Sequence, residues 1–561
     1  MGADGKKDHA SFFEEDDVNF SDEELVYYVR NALASVLRND TSDYDELVGF
    51  MHHGGSLASE QDKDPALIAT SLKALSGAVT CIDAIHHRTL LASIFGMRLW
   101  NNGPAVMNAL LDLIVSLAAT SGKYLDSCLY MLVNHFIPPQ SFSNKPPNPR
   151  KRDRVLSLVH RALEDIYCLV PLAPTRLVPI LAQRMPTVHK KDHLIVDYVE
   201  NLLKLASSSI GEVVGDMILM MVMERLRDLD VEIGWDDIPQ DGSRTSVCPM
   251  ELDDDADENK IPKGSLDQKN LDGDIVCELL DNLMVLTFKH LESCHTSGHL
   301  GEVFESLFKS FENLILNTYK SKFAQFVIFY ACSLDPDHCG VRFANNLADI
   351  FLSKSKPPLT RMSAVAYLAS YLSRGKFLST STVAGILRRL VEACEEYCRK
   401  CGDDIKPESH RVFYSGCQAV MYVLCFRMAA IIDVPRHKSL LMPLETVLKH
   451  KLNPLTVCLS SVVTEFLRQA KAAAFTFSEA FVFEEERQES EPSNASGGKE
   501  RIDSFFPFDP CLLKTSEISY IRENYVYWGN VRKAYDDEAE GEEEDNFNEV
   551  EVIVFNDEED V

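Results

Sequence analysis

The sequence predicts an all-α, HEAT-like helical-repeat solenoid that carries an acidic insertion and an acidic C-terminal tail. Three observations predict it: apolar residues recur at helical spacing along most of the chain, no segment alternates convincingly with a period of two, and short breaks rich in glycine, proline and hydroxyl residues divide the helical stretches. The centre shows this most plainly. Ala344, Leu347, Ala348, Phe351 and Leu352 share one helix face, as do Ala364, Tyr367, Leu368, Tyr371 and Leu372, then Val383, Ile386, Leu387, Leu390 and Cys394. A fourth face, Cys417, Val420, Met421, Leu424 and Cys425, follows a loop containing Gly402 and Pro407. Pro357-Pro358 stops one helix and Ser379 offers a capping hydroxyl to the next. One-faced helices in succession hide those faces only against each other, which is how a repeat array is held together.

Taken in order, residues 1–20 read as a disordered acidic N-terminus, and Ser21 with Glu24 forms a capping box that opens the N-terminal repeats, 21–235. Within them, 137–154 (IPPQSFSNKPPNPRKRDR) reads as a proline-rich loop ending in bases. Residues 236–270 form an acidic insertion with too few apolar residues to pack, and helices resume through the central and C-terminal repeats, 271–483. Residues 484–501 read as a disordered loop, 502–535 as an extended aromatic arm packed on the solenoid, and 536–561 as a disordered acidic tail. In the arm, prolines 507 and 510 bar a helix around Phe505, Phe506 and Phe508.

The net charge of -30 is concentrated rather than spread. Residues 1–25, 236–258, 484–501 and 536–560 carry -7, -8, -3 and -14, which leaves about +2 for everything else. The body is therefore near neutral. No apolar run approaches the length that spans a bilayer, the N-terminus lacks the apolar core of a secretion signal, and the 15 cysteines fit a reducing compartment.

Catalytic and metal signatures fail in turn. There is no phosphate-cradling G-x-x-x-x-G-K-[ST], no G-x-G-x-x-G and no H-E-x-x-H, and the clustered carboxylates sit in runs that cannot hold an acid/base pair rigidly. Cys398 and Cys401 have C-x-x-C spacing, but with Cys394 they also follow one helix face, and no second pair completes four ligands. The chain thus reads as an interaction protein, not an enzyme, with no cofactor. Its densest positive cluster, Lys145, Arg150, Lys151, Arg152 and Arg154, reads as a nuclear-import or phosphate-contacting loop, or as a solvated loop that balances nearby acids.

Four blocks, VRFANNLADIFLSKSKPPLTRMSAVAYLASYLSRGKF (341–377), FYSGCQAVMYVLCFR (413–427), LNPLTVCLSSVV (452–463) and IDSFFPFDPCLLKTS (502–516), resemble in that order the RNA polymerase I-specific transcription initiation factor family. The resemblance runs from roughly Ser21 to Trp528. It implies a nuclear and nucleolar factor that binds RNA polymerase I through its stalk subunits and bridges it to the promoter-bound core factor at ribosomal RNA genes. It also implies a serine-rich polymerase-binding face in the N-terminal half, switched off by phosphorylation; candidates there are Ser93, Ser116, Ser121, Ser127 and Ser157. A homodimer of the free factor and a weak contact with DNA stay open, and no membrane contact is expected. A helical-repeat nuclear transport or scaffold adaptor is the alternative, since such proteins are also acidic solenoids.

Overall fold

The computed structural model describes residues 22–38, 40–53, 65–139, 148–187, 194–234, 266–318, 321–473, 508, 513–529 and 531. Ser21, Lys145, Phe505, Phe506 and the acidic segments, except 266–270, lie outside them. Among the described residues the chain is helical, with a lone antiparallel bridge between Gly375 and Tyr525. Residues 1–186 with 204–214 form one compact unit, and residues 187–203 with 215–561 form another.

The first unit contains α1 (Asp22–Val36), α2 (Ser42–His53), α3 (Pro65–Gly77), α4 (Arg88–Gly96), α5 (Pro104–Thr120), α6 (Gly122–Asn134), α7 (Pro149–Leu169) and α8 (Ala173–Arg184). Odd-numbered helices pack on odd ones (α1 on α3, α3 on α5, α5 on α7) and even on even (α2 on α4, α4 on α6, α6 on α8). Two parallel ridges result. Between them lie the apolar stripes legible in the sequence, such as Leu110, Leu113, Ile114 and Leu117 of α5 and Leu125, Leu129 and Leu132 of α6, all buried. Ser121 caps α6 by accepting from Lys123 N, and Asn148 caps α7 by accepting from Arg150 N at 3.1 Å.

α9 (Leu194–Ala206) and α10 (Gly211–Glu232) each contribute residues to both units. The second unit continues with α11 (Leu266–Thr296), α12 (Leu300–Ser310), α13 (Phe326–Leu334), α14 (Val341–Leu352), α15 (Pro358–Arg374), α16 (Thr380–Lys400) and α17 (Arg411–Ile432). Four shorter helices follow, α18 (Pro435–Leu440), α19 (Leu444–Leu448), α20 (Pro454–Val457) and α21 (Ser460–Ala472). α11 starts inside the expected acidic insertion, so 266–270 belong to a helix. It ends in a left-handed turn at Gly298 (φ +80), where His299 N returns to Cys294 O at 2.9 Å, and a side chain there would be strained. The four central helices fall where the periodicity places them, and Leu347, Phe351, Leu368, Leu372, Leu387, Leu390, Val420 and Leu424 are all buried.

α17 corrects one expectation. With the turn before it, Pro407–Ile432 is long and apolar enough to cross a membrane, yet 78% of that window is buried inside the protein. It is the core helix of its unit, packed on α15, α16 and α21. Gly416 permits this closeness, because a Cβ there would come within 2.8 Å of Phe351 and 3.1 Å of the Cys394 sulfur.

Helix ends in this unit are closed by carboxylates from distant helices. Asp230 of α10 is fully buried and accepts hydrogen bonds from Lys322 N (2.9 Å), Phe323 N (3.1 Å), Ala324 N (3.1 Å) and the Ser321 hydroxyl (2.7 Å), just ahead of α13. Asp281 of α11 likewise accepts from Thr515 N and Ser516 N, both at 2.8 Å. Orphan amides at helix starts carry positive partial charge, so a buried carboxylate satisfies them and is itself satisfied.

The second of these caps anchors the C-terminal arm. Here the expected extended arm is in part helical, with turns from Lys514 to Asn524 that include a short α22 (Lys514–Ser516). Phe508 is fully buried among Phe326, Phe329, Phe343, Tyr367 and Tyr371, with ring centroids 5.6 to 6.4 Å away, and Ser370 Oγ accepts from its N–H at 3.1 Å. Further along, Val526 N donates to Arg374 O at 2.8 Å and Lys376 N to Asn524 O at 3.0 Å.

Two substitutions test this account. Leu368→Ala is expected to lower stability by about 2 to 5 kcal/mol through the cavity it leaves, read by chemical denaturation. Asp230→Ala is expected to cost about 3 kcal/mol, because it strands several buried donors at once; Asp230→Asn, which keeps an acceptor oxygen, should cost less.

Candidate partner-binding groove

The outward faces of α4, α6 and α8 in the first unit form a groove of about 710 Å³. Helical spacing puts its lining in register: Ala92, Phe95 and Gly96 from α4, Asp126, Ser127, Tyr130, Met131 and Asn134 from α6, and Thr175, Arg176, Pro179, Ile180 and Gln183 from α8. Phe95 and Pro179 supply apolar surface over buried Met131 and Ile180. Arg176 Nε donates to Asp126 Oδ1 at 2.7 Å, a second guanidinium nitrogen reaches Asp126 Oδ2, and the carboxylate raises the Arg176 pKa. Tyr130, 40% exposed, lies under the Arg184 guanidinium, 5.3 Å from ring centroid to Cζ, and accepts from it at 3.3 Å.

One buried acceptor in this groove wants a donor. Asn134 Oδ1 is buried with no hydrogen-bond partner. Pro179 sits inside α8 and has no N–H, which removes the helical donor of the Thr175 carbonyl, but both residues are exposed and water can take its place. A buried acceptor without a donor costs about 1 to 3 kcal/mol, so such atoms mark places where a ligand gains.

His135 fixes the end of α6 beneath this surface. Its Nδ1 lies 2.8 Å from Met131 O and its Nε2 accepts from Leu99 N at 3.1 Å, so the neutral ring with hydrogen on Nδ1 satisfies both. Burial, the largest cause, lowers its pKa below the ordinary 6.5. The Cys128 thiol on the same helix is pushed up to about 12 by burial and is no nucleophile at neutral pH.

The five candidate serines do not share one face. Ser127 is exposed and lines the groove. Ser93 is buried on α4, donating to Thr89 O at 3.0 Å, so it is unavailable at the surface. Ser121 is half-buried at the α5–α6 turn as a cap, while Ser116 and Ser157 lie on odd-layer helices, each hydroxyl bonded back to a carbonyl of its own helix (Asp112 O at 2.7 Å, Asp153 O at 2.8 Å).

The basic cluster is not a loop over its described part. Arg150, Lys151, Arg152 and Arg154 occupy the start of α7, where four cations meet the positive end of the helix dipole. Phe508 of the arm has its ring wholly enclosed and offers no binding surface. Among the described residues no group of three or more His, Cys, Asp or Glu could hold a metal; Cys394 and Cys398 are buried core thiols. The groove residues Asn134, Tyr130, Arg176 and Pro179 escaped the sequence reading. Pro179 inside a helical pattern was the visible signal.

The family model for RNA polymerase I specific transcription initiation factor RRN3 matches residues 18–533. The chain belongs to this RRN3 family. Its members are transcription initiation factors, not enzymes, and the chain is one of these RNA polymerase I-specific factors. It is 28% identical over 466 residues to the mouse RNA polymerase I-specific transcription initiation factor RRN3, covering 76% of this chain and 70% of that one. To the rrn3 factor of Schizosaccharomyces pombe it is 24% identical over 580 residues, 96% of this chain and 92% of that one. The crystal structure of RNA polymerase I transcription initiation factor Rrn3 superposes with a TM-score of 0.69 at 21% identity, covering 91% of this chain and all of that one. The all-α, solenoid-like fold of RRN3 proteins is thus the fold here, and the family's work on polymerase I genes places its action in the nucleus.

His135 makes a pH test. Its folded pKa lies below the unfolded one, so the unfolded chain binds the proton more readily, and the stability this ring confers is present above pH 6.5 and lost as pH falls below it. Thermal melts of the wild type should drop more between pH 7.5 and 5.5 than those of His135→Gln, which should be less stable at pH 7.5 but flatter with pH.

Proposed function

We propose that this RRN3-family factor binds RNA polymerase I through the even-numbered ridge of its first unit, contacting the stalk subunits, and bridges the enzyme to the promoter-bound core factor at ribosomal RNA genes in the nucleolus. The observation that carries it is the family match across 18–533, joined to a groove with an unmet acceptor, Asn134 Oδ1, and exposed Tyr130. Phosphorylation then controls the contact at Ser127. A phosphate there brings nearly two negative charges into the groove that Arg176 also lines, drawing this cation inward and away from a partner. Ser121 and Ser157 are secondary sites for the same control.

The start of α7 serves this reading as a phosphate contact with promoter DNA. Import receptors take basic signals as extended chain, whereas Arg150 to Arg154 are wound into a capped helix whose first turns would have to open. Exposed guanidinium groups on a helix reach phosphates without that cost.

The test compares Ser127→Asp, Ser157→Asp and the triple aspartate variant of Ser121, Ser127 and Ser157 in pull-downs with purified RNA polymerase I. Ser127→Asp is expected to weaken binding by about tenfold or more, Ser157→Asp by much less, and the triple variant to abolish it, with circular dichroism unchanged. Alanine at the same places should bind. Wild-type binding by the triple aspartate variant would put the polymerase contact elsewhere.

A further inference from the structure

The charge on the three groove helices opposes that of the whole chain. α4, α6 and α8 carry Arg88, Lys123, Arg176 and Arg184 against Asp126 alone, a net of three positive charges in a chain of -30. Arg88 stands one turn before Ala92 and Lys123 one turn before Ser127, so both exposed cations continue the stripes that line the groove. This cationic rim surrounds apolar side chains and one buried acceptor, Asn134 Oδ1, that lacks a donor. Each feature specifies one property of an occupant: negative charge to match the rim, an apolar side chain for the Phe95 and Pro179 surface, and an N–H group for Asn134 Oδ1.

We propose that the groove seats an acidic, locally extended polypeptide segment of the partner, anchored by one aromatic or aliphatic side chain and donating a backbone N–H to Asn134 Oδ1. This rests on the reading that the ridge meets RNA polymerase I. An extended strand suits the groove better than the body of a helix, whose N–H groups beyond the first turn are committed along its own axis, whereas a strand offers them sideways. The same geometry explains why Ser127 is the effective switch, since a phosphate there supplies in place the negative charge the segment would bring.

The experiment puts the photo-crosslinking residue p-benzoylphenylalanine at Gln183, on the groove wall, in the full chain bound to purified RNA polymerase I. Mass spectrometry identifies the joined peptide. The expected product is a polymerase segment rich in Asp and Glu flanking an aromatic or aliphatic residue. Alongside it, Arg176→Glu with Arg184→Glu should lower affinity by about tenfold or more at low salt and by less at high salt. If that double variant fails to fold, Arg88→Glu with Lys123→Glu, both exposed and outside the Asp126 pair, makes the same measurement, and Asn134→Leu should weaken binding without altering its salt dependence. A complex that forms while the crosslink falls on a basic or uncharged segment, on the chain's own acidic residues, or nowhere, overturns this inference and leaves polymerase binding standing. Absence of any complex overturns both.

Discussion

The second unit depends on how the C-terminus of α15 is closed. Arg374, the last residue of that helix, is completely buried, with its guanidinium 4.5 Å from the Phe426 ring centroid and 5.5 Å from that of Tyr525, donating to Tyr422 Oη at 3.0 Å and Val526 O at 3.4 Å. Arg427 of α17 donates to Leu372 O and Gly375 O at 3.2 and 2.6 Å. Two cations thus meet the carbonyl end of one helix, where the dipole favours them, and aromatic faces supply much of the stabilisation that water would otherwise give a buried charge. None of this holds with α15 alone: Tyr422, Phe426 and Arg427 come from α17, Tyr525 and Val526 from the arm. A single helix end therefore ties together three segments separated by up to 152 positions in sequence.

The same economy recurs with opposite sign at helix starts, where Asp230 and Asp281 reach across to close amides far away in sequence. In a helical array the apolar stripes set which helices pack, but they tolerate sliding along one another. Polar closures fix the register, because a carboxylate aimed at three amides has one acceptable position.

This division explains what the sequence disclosed. The stripes of α14 to α17 were legible because burial on one side imposes a period of 3.6, and Leu368 or Val420 could be assigned to the core from spacing alone. Ser379 was legible too, as its hydroxyl accepts from Thr382 N at 3.2 Å three positions away. Asp230, Asp281 and Arg374 were not, since a charged residue in a helix pattern ordinarily faces water and its distant partner leaves no local trace. The arm shows the limit from another side. Its aromatics were visible, but whether Phe508 offers a surface or fills a core depends on the cage built by Phe326, Phe329, Tyr367 and Tyr371, more than a hundred residues earlier. The groove was hidden for a related reason: its parts lie on three helices, each with an ordinary outer face.

Chain order gives the arm's placement a meaning for biogenesis. A ribosome delivers α11 to α17 before it delivers Phe508 or Tyr525, so for that interval the aromatic cage stands open and the Arg374 charge has only part of its shelter. A nascent chain stopped before the arm would display a sticky hollow lined with phenylalanine and tyrosine, the kind of surface that chaperones hold and proteases exploit. Arrival of Trp528, the last aromatic buried among the described residues, would serve as a quality check, with release from the folding machinery waiting on synthesis through that point.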